Sequence, residues 1–419
     1  MERYGAKRGP LLVGAIKRPI TPTIKGRRVF IAGDEPIRQA SDIHDELWAR
    51  ALVLRAGDST LVMIALDLFG LSREHVSHIQ EQAIEQGLPA QNLIISCTRN
   101  HSGPDTDGQW STGWLGSGLN MRYIYFLYRE LVDMIRLAEQ SLQPVQPFLV
   151  RETIHDPLSG DTLQELAVMQ FRTAEDHPVA TLVNVGLVPQ TLGAQNTSIS
   201  ADFLHYLYQA LEAWQARDQV VLYTCAEGEE TIPSALQVPS WDQAERAGQE
   251  LAQAVQDSLE NAEAVEIDDI RMWSRSIEPN GNGRLPKWLQ PIGGSRNGSS
   301  ATHSKLGLVE LGPARIAVLP GLPAPEISLQ VRKMVDAPFR FVVGMGNDDI
   351  GWIPPQQNPE QASRHTDKGT HILDEFDRLL LEVQQPDIPE EESLEPDDKE
   401  ESSPLAGSMQ ELDAATPSS

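Results

Sequence analysis

What most constrains this chain is the alternation of short apolar runs with helical patterns along nearly its whole length. Segments such as "LLVGAI", "WARALVL", "TLVMIALDLFGL", "NLIISC", "PFLVRETI", "ELAVMQF", "ATLVNVGL", "QVVLYTC", "KLGLVEL", "RIAVLPG" and "FRFVVGMG" read as strands, bounded by polar turn residues. Residues 73–87, 121–143, 203–217, 241–260, 325–336 and 367–384 read as helices. The second of these, "MRYIYFLYRELVDMIRLAEQSLQ", repeats apolar positions at three- and four-residue steps, as a helix lying on a sheet should. Ser200 or Asp202 is placed to cap the helix that starts at 203. The pattern predicts an α/β fold (mixed α+β), with large β-sheets flanked by helices. No internal repeat is visible in the sequence.

Composition narrows the function classes. The 419 residues are 40% hydrophobic and 22% charged, an ordinary globular balance. No apolar run approaches the roughly 18 residues that cross a bilayer. The N-terminal "MERYGAKRGPLLVGAIKRPITP" lacks the apolar core of a signal peptide, so it is expected to be the first strand of a cytoplasmic protein. Cys97 and Cys225 each close an apolar strand and are expected to be buried thiols. The net charge of −26, with no basic stripe for a phosphate-binding face, speaks against a nucleic-acid partner. Residues 386–419 carry eleven acidic residues against Lys399 and are expected to form a disordered acidic tail behind a domain spanning 1–385. The segments 103–120 and 278–303 are rich in turn residues, and Trp110, Trp114 and Trp288 on them could cover an apolar ligand.

Chemistry is expected where "NLIISC" opens into "TRNHSGPDT", because α/β enzymes place polar groups at strand ends. Several stretches, taken in order, resemble the catalytic domain of the neutral/alkaline non-lysosomal ceramidases. These are "VGAIKRPITP", "IHDELWARALVLRAGDSTLVMIALDLFGL" (43–71), "LIISCTRNHSGP", "LVNVGLVPQTLGAQNTSISADF", "VLPGLPAPEISLQVR" and "GMGNDDIGWIPP". The resemblance spans roughly residues 10 to 385. It implies a ceramidase-like catalytic-domain fold, and it implies a zinc held by two histidines, a glutamate and a tyrosine that activates water against the amide of N-acylsphingosine.

Carried over position by position, those ligands fall on Arg99, Val188, Leu322 and Trp352. None of the four donates a lone pair to zinc. Arg99 is permanently charged, and at about 4 Å and an effective dielectric near 20 it would repel a dication by on the order of 8 kcal/mol. The expectation is therefore a lost metal site, no cofactor, and a non-catalytic or altered-activity protein that keeps a cleft for a lipid or small N-acyl ligand. Arg99 is expected to pair with a carboxylate among Asp67, Asp202, Asp348 and Asp349. Two other readings stay open. One is an active amide hydrolase with a different zinc set, His101 with Asp105 or Asp107; the other is a scaffold acting through its surface. His101 and Thr231 are the candidate catalytic residues, and His44, Asp67, His101, Asp202, Asn347, Asp348 and Asp349 the candidate cleft lining. Glu326, one helical turn beyond Leu322, lies too far to replace the missing glutamate.

Overall fold

Both faces of most strands must be buried, since their sequences are apolar at successive positions instead of alternating with polar ones. The computed structural model describes residues 8–110, 119–159, 163–214, 218–229, 240–278, 303–355 and 368–384. Three main sheets account for the apolar strands. The first contains β1 (Leu11–Pro19), β3 (Trp48–Ala56), β4 (Ser59–Leu66), β5 (Leu93–Cys97) and the short β6 (Gln143–Pro144), in the order β5-β4-β3-β1-β6. The second contains β7 (Gln146–His155), β8 (Leu163–Arg172), β9 (Pro178–Val185), β11 (Val220–Cys225) and the short β12 (Glu263–Ala264), in the order β11-β9-β8-β7-β12. The third contains β13 (Ile270–Ile277), β14 (Ser304–Leu311), β15 (Ala314–Val318) and β17 (Phe339–Val343), in that order. Two parallel pairs complete the described strands: β2 (Asp42–Ile43) with β10 (Ser198–Ile199), and β16 (Leu322–Pro323) with β18 (Trp352–Ile353).

Alternate residues of each strand serve two different cores. On β4, Leu61, Met63 and Ala65 face a core shared by all three sheets, whereas Val62, Ile64 and Leu66 face the helix-covered side. Met169 and Phe171 of β8 and Ile316 and Val318 of β15 join the same shared core. Helices α1 (Arg73–Glu85) and α2 (Met121–Gln140) lie on the first sheet, and α3 (Phe203–Trp214) and α4 (Trp241–Leu259) on the second. Helices α5 (Pro325–Met334) and α6 (Lys368–Gln384) lie on the third, over Leu306, Leu308, Ala317 and Val342.

One unit of connectivity recurs three times, although the sequence shows no repeat. Two antiparallel strands are followed by a helix, a strand parallel to the second, and another helix. Setting aside the short β10, β16 and β18, the series are β3-β4-α1-β5-α2, β8-β9-α3-β11-α4 and β14-β15-α5-β17-α6. Each unit thereby ends its parallel pair with two carboxyl-terminal loops on one side, and the loops from all three units meet.

Two asparagines, Asn184 buried and Asn347 half-buried, hold the units together there. Asn184 at the end of β9 donates to Val342 O at 2.7 Å and accepts from Val342 N at 3.2 Å, joining the second sheet to the third. Asn347, in the left-handed backbone region at φ 62°, accepts from Ile95 N at 2.7 Å and donates to Leu93 O at 2.9 Å. Its own amide donates to Ile95 O, so one residue pairs with the edge of β5 as a short strand would. Replacing Asn184 by leucine orphans both main-chain groups of Val342. With about 1–3 kcal/mol for each buried unsatisfied group, denaturant unfolding of Asn184→Leu is expected to show a loss of about 2–5 kcal/mol with an unchanged m-value.

Candidate functional site

The loops that meet are those following β4, β5, β9, β11, β15 and β17, and they bring together residues far apart in sequence. Gly228, just beyond β11, is the centre of one half. A β-carbon there would lie 2.6 Å from Val188 Cγ2 and 2.9 Å from Leu322 Cδ2, so only glycine lets those two side chains close over it. Trp352 donates its indole N–H to Gly228 O at 3.0 Å and pairs with Leu322 across β16 and β18. Val188, Leu322 and Trp352 therefore converge on one point, and Val188, Leu322 and Met345 belong to one buried apolar cluster.

Arg99 occupies the other half. Thr98 N donates to Leu66 O and Asn100 N to Leu68 O, pinning the chain on both sides of it, and its backbone takes the left-handed conformation at φ 64°. Its guanidinium lies over the Phe69 ring, with Cζ 3.6 Å from the centroid. Nη1 reaches both Asp349 carboxylate oxygens at 3.4 Å and Met345 Sδ at 4.0 Å. Asp349 comes this close because residue 70 is glycine: a β-carbon there would lie 1.9 Å from Asp349 Oδ2. Burial pulls the Arg99 pKa down while Asp349 opposes it, and a guanidinium stays protonated through such a shift. Lys368, at the start of α6, donates to Ile350 O and Trp352 O. Burial pushes its pKa down to about 8, against the pull of Asp349 and with the repulsion of Arg99.

His101 sits beside this pair. Its Nδ1 is 2.8 Å from Asp34 Oδ1, and its ring meets the edge of Phe69 at 5.0 Å between centroids. Phe69 also meets Trp110 edge-on at 5.4 Å. Burial depresses the His101 pKa, Asp34 opposes this, and Arg99 and Arg38 add to it.

Of the four carboxylates expected as partners for Arg99, Asp349 is the one in contact. Asp67 accepts from Trp48 N at 2.9 Å and the Tyr208 hydroxyl at 3.0 Å. Asp202 accepts from the Thr191 hydroxyl, Leu192 N and Phe203 N at the start of α3. Asp348 accepts from Arg73 N and the Ser304 hydroxyl, closing the first turn of α1. His44 bonds Asp45 at 2.9 Å and stacks on Trp241 at 3.7 Å, while Asp45 accepts from Ser200 and Ala201. That histidine belongs to the β2–β10 corner. Asp105 spends its carboxylate on the amides of Asp107, Gly108, Gln109 and Trp110, so it organises its own turn. The alternative set of His101 with Asp105 or Asp107 is not assembled, because His101 Nδ1 faces Asp34 instead. Glu326 lies in the first turn of α5. Thr231, Trp114, Trp288 and the acidic tail lie outside the described residues. The sequence reading does not single out Asp34, Phe69 and Lys368. The Gly-Asp of "IAGDEPIR", with Gly33 at φ 118°, is a turn signal that points to the first of them.

A zinc centre does not fit these residues. The convergent side chains are a guanidinium, two aliphatic groups and an indole, and the nearest carboxylate is paired with the guanidinium. Among the described residues no three His, Cys, Asp or Glu side chains are grouped to hold a metal ion. No described helix is long and apolar enough to cross a membrane.

Three sheets flanked by helices, with their parallel pairs ending at these loops, make a mixed α/β fold. The chain matches the structure of a ceramidase complexed with C2 at a TM-score of 0.72 and 15% identity, over 89% of this chain and 75% of that one. It matches neutral ceramidase from Pseudomonas aeruginosa at a TM-score of 0.69, with the same identity and coverage. At that identity the likeness establishes the fold. No family model and no curated protein sequence matches the chain.

Two predictions follow from the charges. Burial pushes Asp67, Asp202 and Asp348 up to about 6 and Asp107 up to about 7. A carboxyl raised in the folded state contributes stability in its protonated form, and loses it as pH rises through the folded value. The melting temperature is therefore expected to fall between about pH 4 and 7, from the ordinary carboxyl range up to these raised values, and Asp202→Asn to flatten that slope. Arg99→Met strands the Asp349 charge, at a cost of about 3–5 kcal/mol. A second substitution, Asp349→Asn, is expected to recover most of this in a double-mutant cycle.

Proposed function

We propose that this chain is a ceramidase-like protein in which an arginine–aspartate pair and an apolar contact replace the zinc centre. It is not a zinc amidohydrolase, and it keeps a pocket rim suited to a lipid or small N-acyl ligand. The observation carrying this reading is the chemistry of the convergence point. Val188, Leu322 and Trp352 close over Gly228, and Arg99 pairs with Asp349. The resemblance puts zinc ligands at these four positions, so their joint replacement in adjoining space is a coordinated change. Removing a dication would leave the buried Asp349 with the Gly351 amide but no paired cation, and the guanidinium supplies one. Half-buried Trp110 lies edge-on to the buried Phe69 ring next to that charge.

A second reading, a scaffold with a filled cleft, draws on the burial of Val188, Leu322 and Met345, each 6% exposed or less. The two readings differ in ligand binding. Purified chain is expected to contain far less than one zinc per molecule and to show no chelator-sensitive hydrolysis of N-acylsphingosine. Stoichiometric zinc, with activity lost on chelation, would overturn the proposal. A rise in melting temperature with short-chain N-acylsphingosine supports the binding reading; an unmoved transition selects the scaffold.

A further inference from the structure

We propose that Arg8 and Gly9, on the segment that enters β1, form a strap that closes the three units into a ring, and that its release opens the seam on which the Arg99–Asp349 pair lies. The strap is independent of what the pocket binds. The first two sheets have five strands, and the fifth is in each case the segment leading into the next unit. β6 pairs with β1 and runs on into β7, and β12 pairs with β7 and runs on towards β13. Among the described residues the third sheet has four strands, and β13 has no fifth strand beside it.

The register identifies what takes that place. Pro144 and Gln143 stand opposite Leu12 and Val13, and the next amide, Val145 N, donates to Leu11 O at 3.2 Å. Ala264 and Glu263 stand opposite Phe148 and Leu149, and the next amide, Val265 N, donates to Pro147 O at 3.0 Å. The third bond of this kind runs from Gly9 N to Asp268 O at 3.1 Å, just ahead of β13. Its donor lies on the segment entering β1, as Val145 lies before β7 and Val265 before β13. Residues 8–11, 145–147 and 265–268 line one groove, so the three links are gathered in one place. β1 runs antiparallel to β3, and β3 to β4, so this place lies at the end of the sheets opposite the candidate site.

A linear chain crosses two of the three seams covalently, from the first unit to the second at Val145 and from the second to the third at Val265. No peptide bond crosses the seam from the third unit back to the first, so contacts must hold it at both ends. At the site end these are the Asn347 bonds to Leu93 and Ile95, the bond from Cys97 N to Met345 O at 3.4 Å, and the Arg99–Asp349 pair. At the other end stands the strap.

By its described contacts the strap is the weakest of the three links. Val145 and Val265 pack their side chains against the core shared by the sheets, whereas Gly9 has none to pack. The Gly9 backbone lies against Gly57, where a β-carbon would come within 3.0 Å of Gly57 N. The Arg8–Asp268 ion pair, at 3.4 Å, leaves both side chains more than half exposed, and such pairs contribute little. Local opening begins where the fewest contacts hold, so this seam parts first. Parting it moves the unit that holds Leu322, Asp349 and Trp352 away from the unit that holds Arg99.

Hydrogen exchange, read segment by segment, tests this on the full chain and on the chain lacking residues 1–9. Without the strap, exchange of residues 268–277 is expected to quicken about tenfold or more, while residues 146–155, sealed by β12, keep their rate. Equal rates for 268–277 in the two chains would overturn the proposal. So would an even quickening of both segments, which reports lost global stability instead of an opened seam. Exchange of residues 93–97, which meet Asn347 across the same seam, is expected to quicken in step, and an unchanged rate there would overturn the opening of the seam. Should the shortened chain fail to fold, Gly9→Pro and Gly9→Ala decide the matter. Both add a β-carbon facing Gly57, but only proline removes the N–H that Asp268 O accepts. Faster exchange of 268–277 in Gly9→Pro than in Gly9→Ala is expected, and equal exchange in the two would overturn the strap.

Discussion

Arg99 holds a charge that it cannot lose, at a place where three sheets press apolar side chains together. A lone guanidinium there would be prohibitive, so its surroundings have to compensate on every side. Phe69 offers an electron-rich face, Asp349 an anion, and Met345 a polarisable sulfur. Each contact has its own local requirement. Arg99 takes a left-handed backbone, residue 70 must be glycine to admit the carboxylate, and Met345 is also left-handed at φ 54°. Backbone strain of this kind persists only where the surrounding structure over-determines it, and here it clusters around one ion pair.

The ion pair sits where it does because of connectivity. In each of the three units a helix crossover sets a strand parallel to its neighbour, so two carboxyl-terminal loops open on the same side. Asn184 and Asn347 then fix the sheets to one another at that end through main-chain groups, independent of any cofactor. The geometry of this end is set by those contacts. This explains how Arg99, Val188, Leu322 and Trp352 are held close together, and how the Asp34–His101 pair keeps its alignment beside them.

Much of this was legible in the chain. The helix over 121–143 is observed as Met121–Gln140 and that over 325–336 as Pro325–Met334, because amphipathic spacing and a proline at the first helical turn are local signals. The double-sided burial of "TLVMIAL" follows from its unbroken apolar character. The three-fold recurrence of the unit was not legible. A core demands only apolar character at the right period, and three unrelated sequences meet that demand equally well. Asn184 in "TLVNVGL" carries a readable hint, a polar amide inside a buried strand, but its partner Val342 lies 158 residues away. The same distance problem hides Asp34 from His101, 67 residues on, and Arg99 from Asp349, 250 residues on.

Those separations bear on how the molecule is made. Asn347 reaches across some 250 residues to the edge of β5, and Asn184 across 158 to β17. Closing loops of that length is entropically costly and kinetically late, so the three units can acquire their own local structure well before their shared end is sealed. During synthesis the β5 edge emerges long before its closing partner exists, with its outer row of main-chain groups still unpaired. A nascent chain of this architecture therefore carries an adhesive strand edge for most of its assembly, until residue 347 arrives.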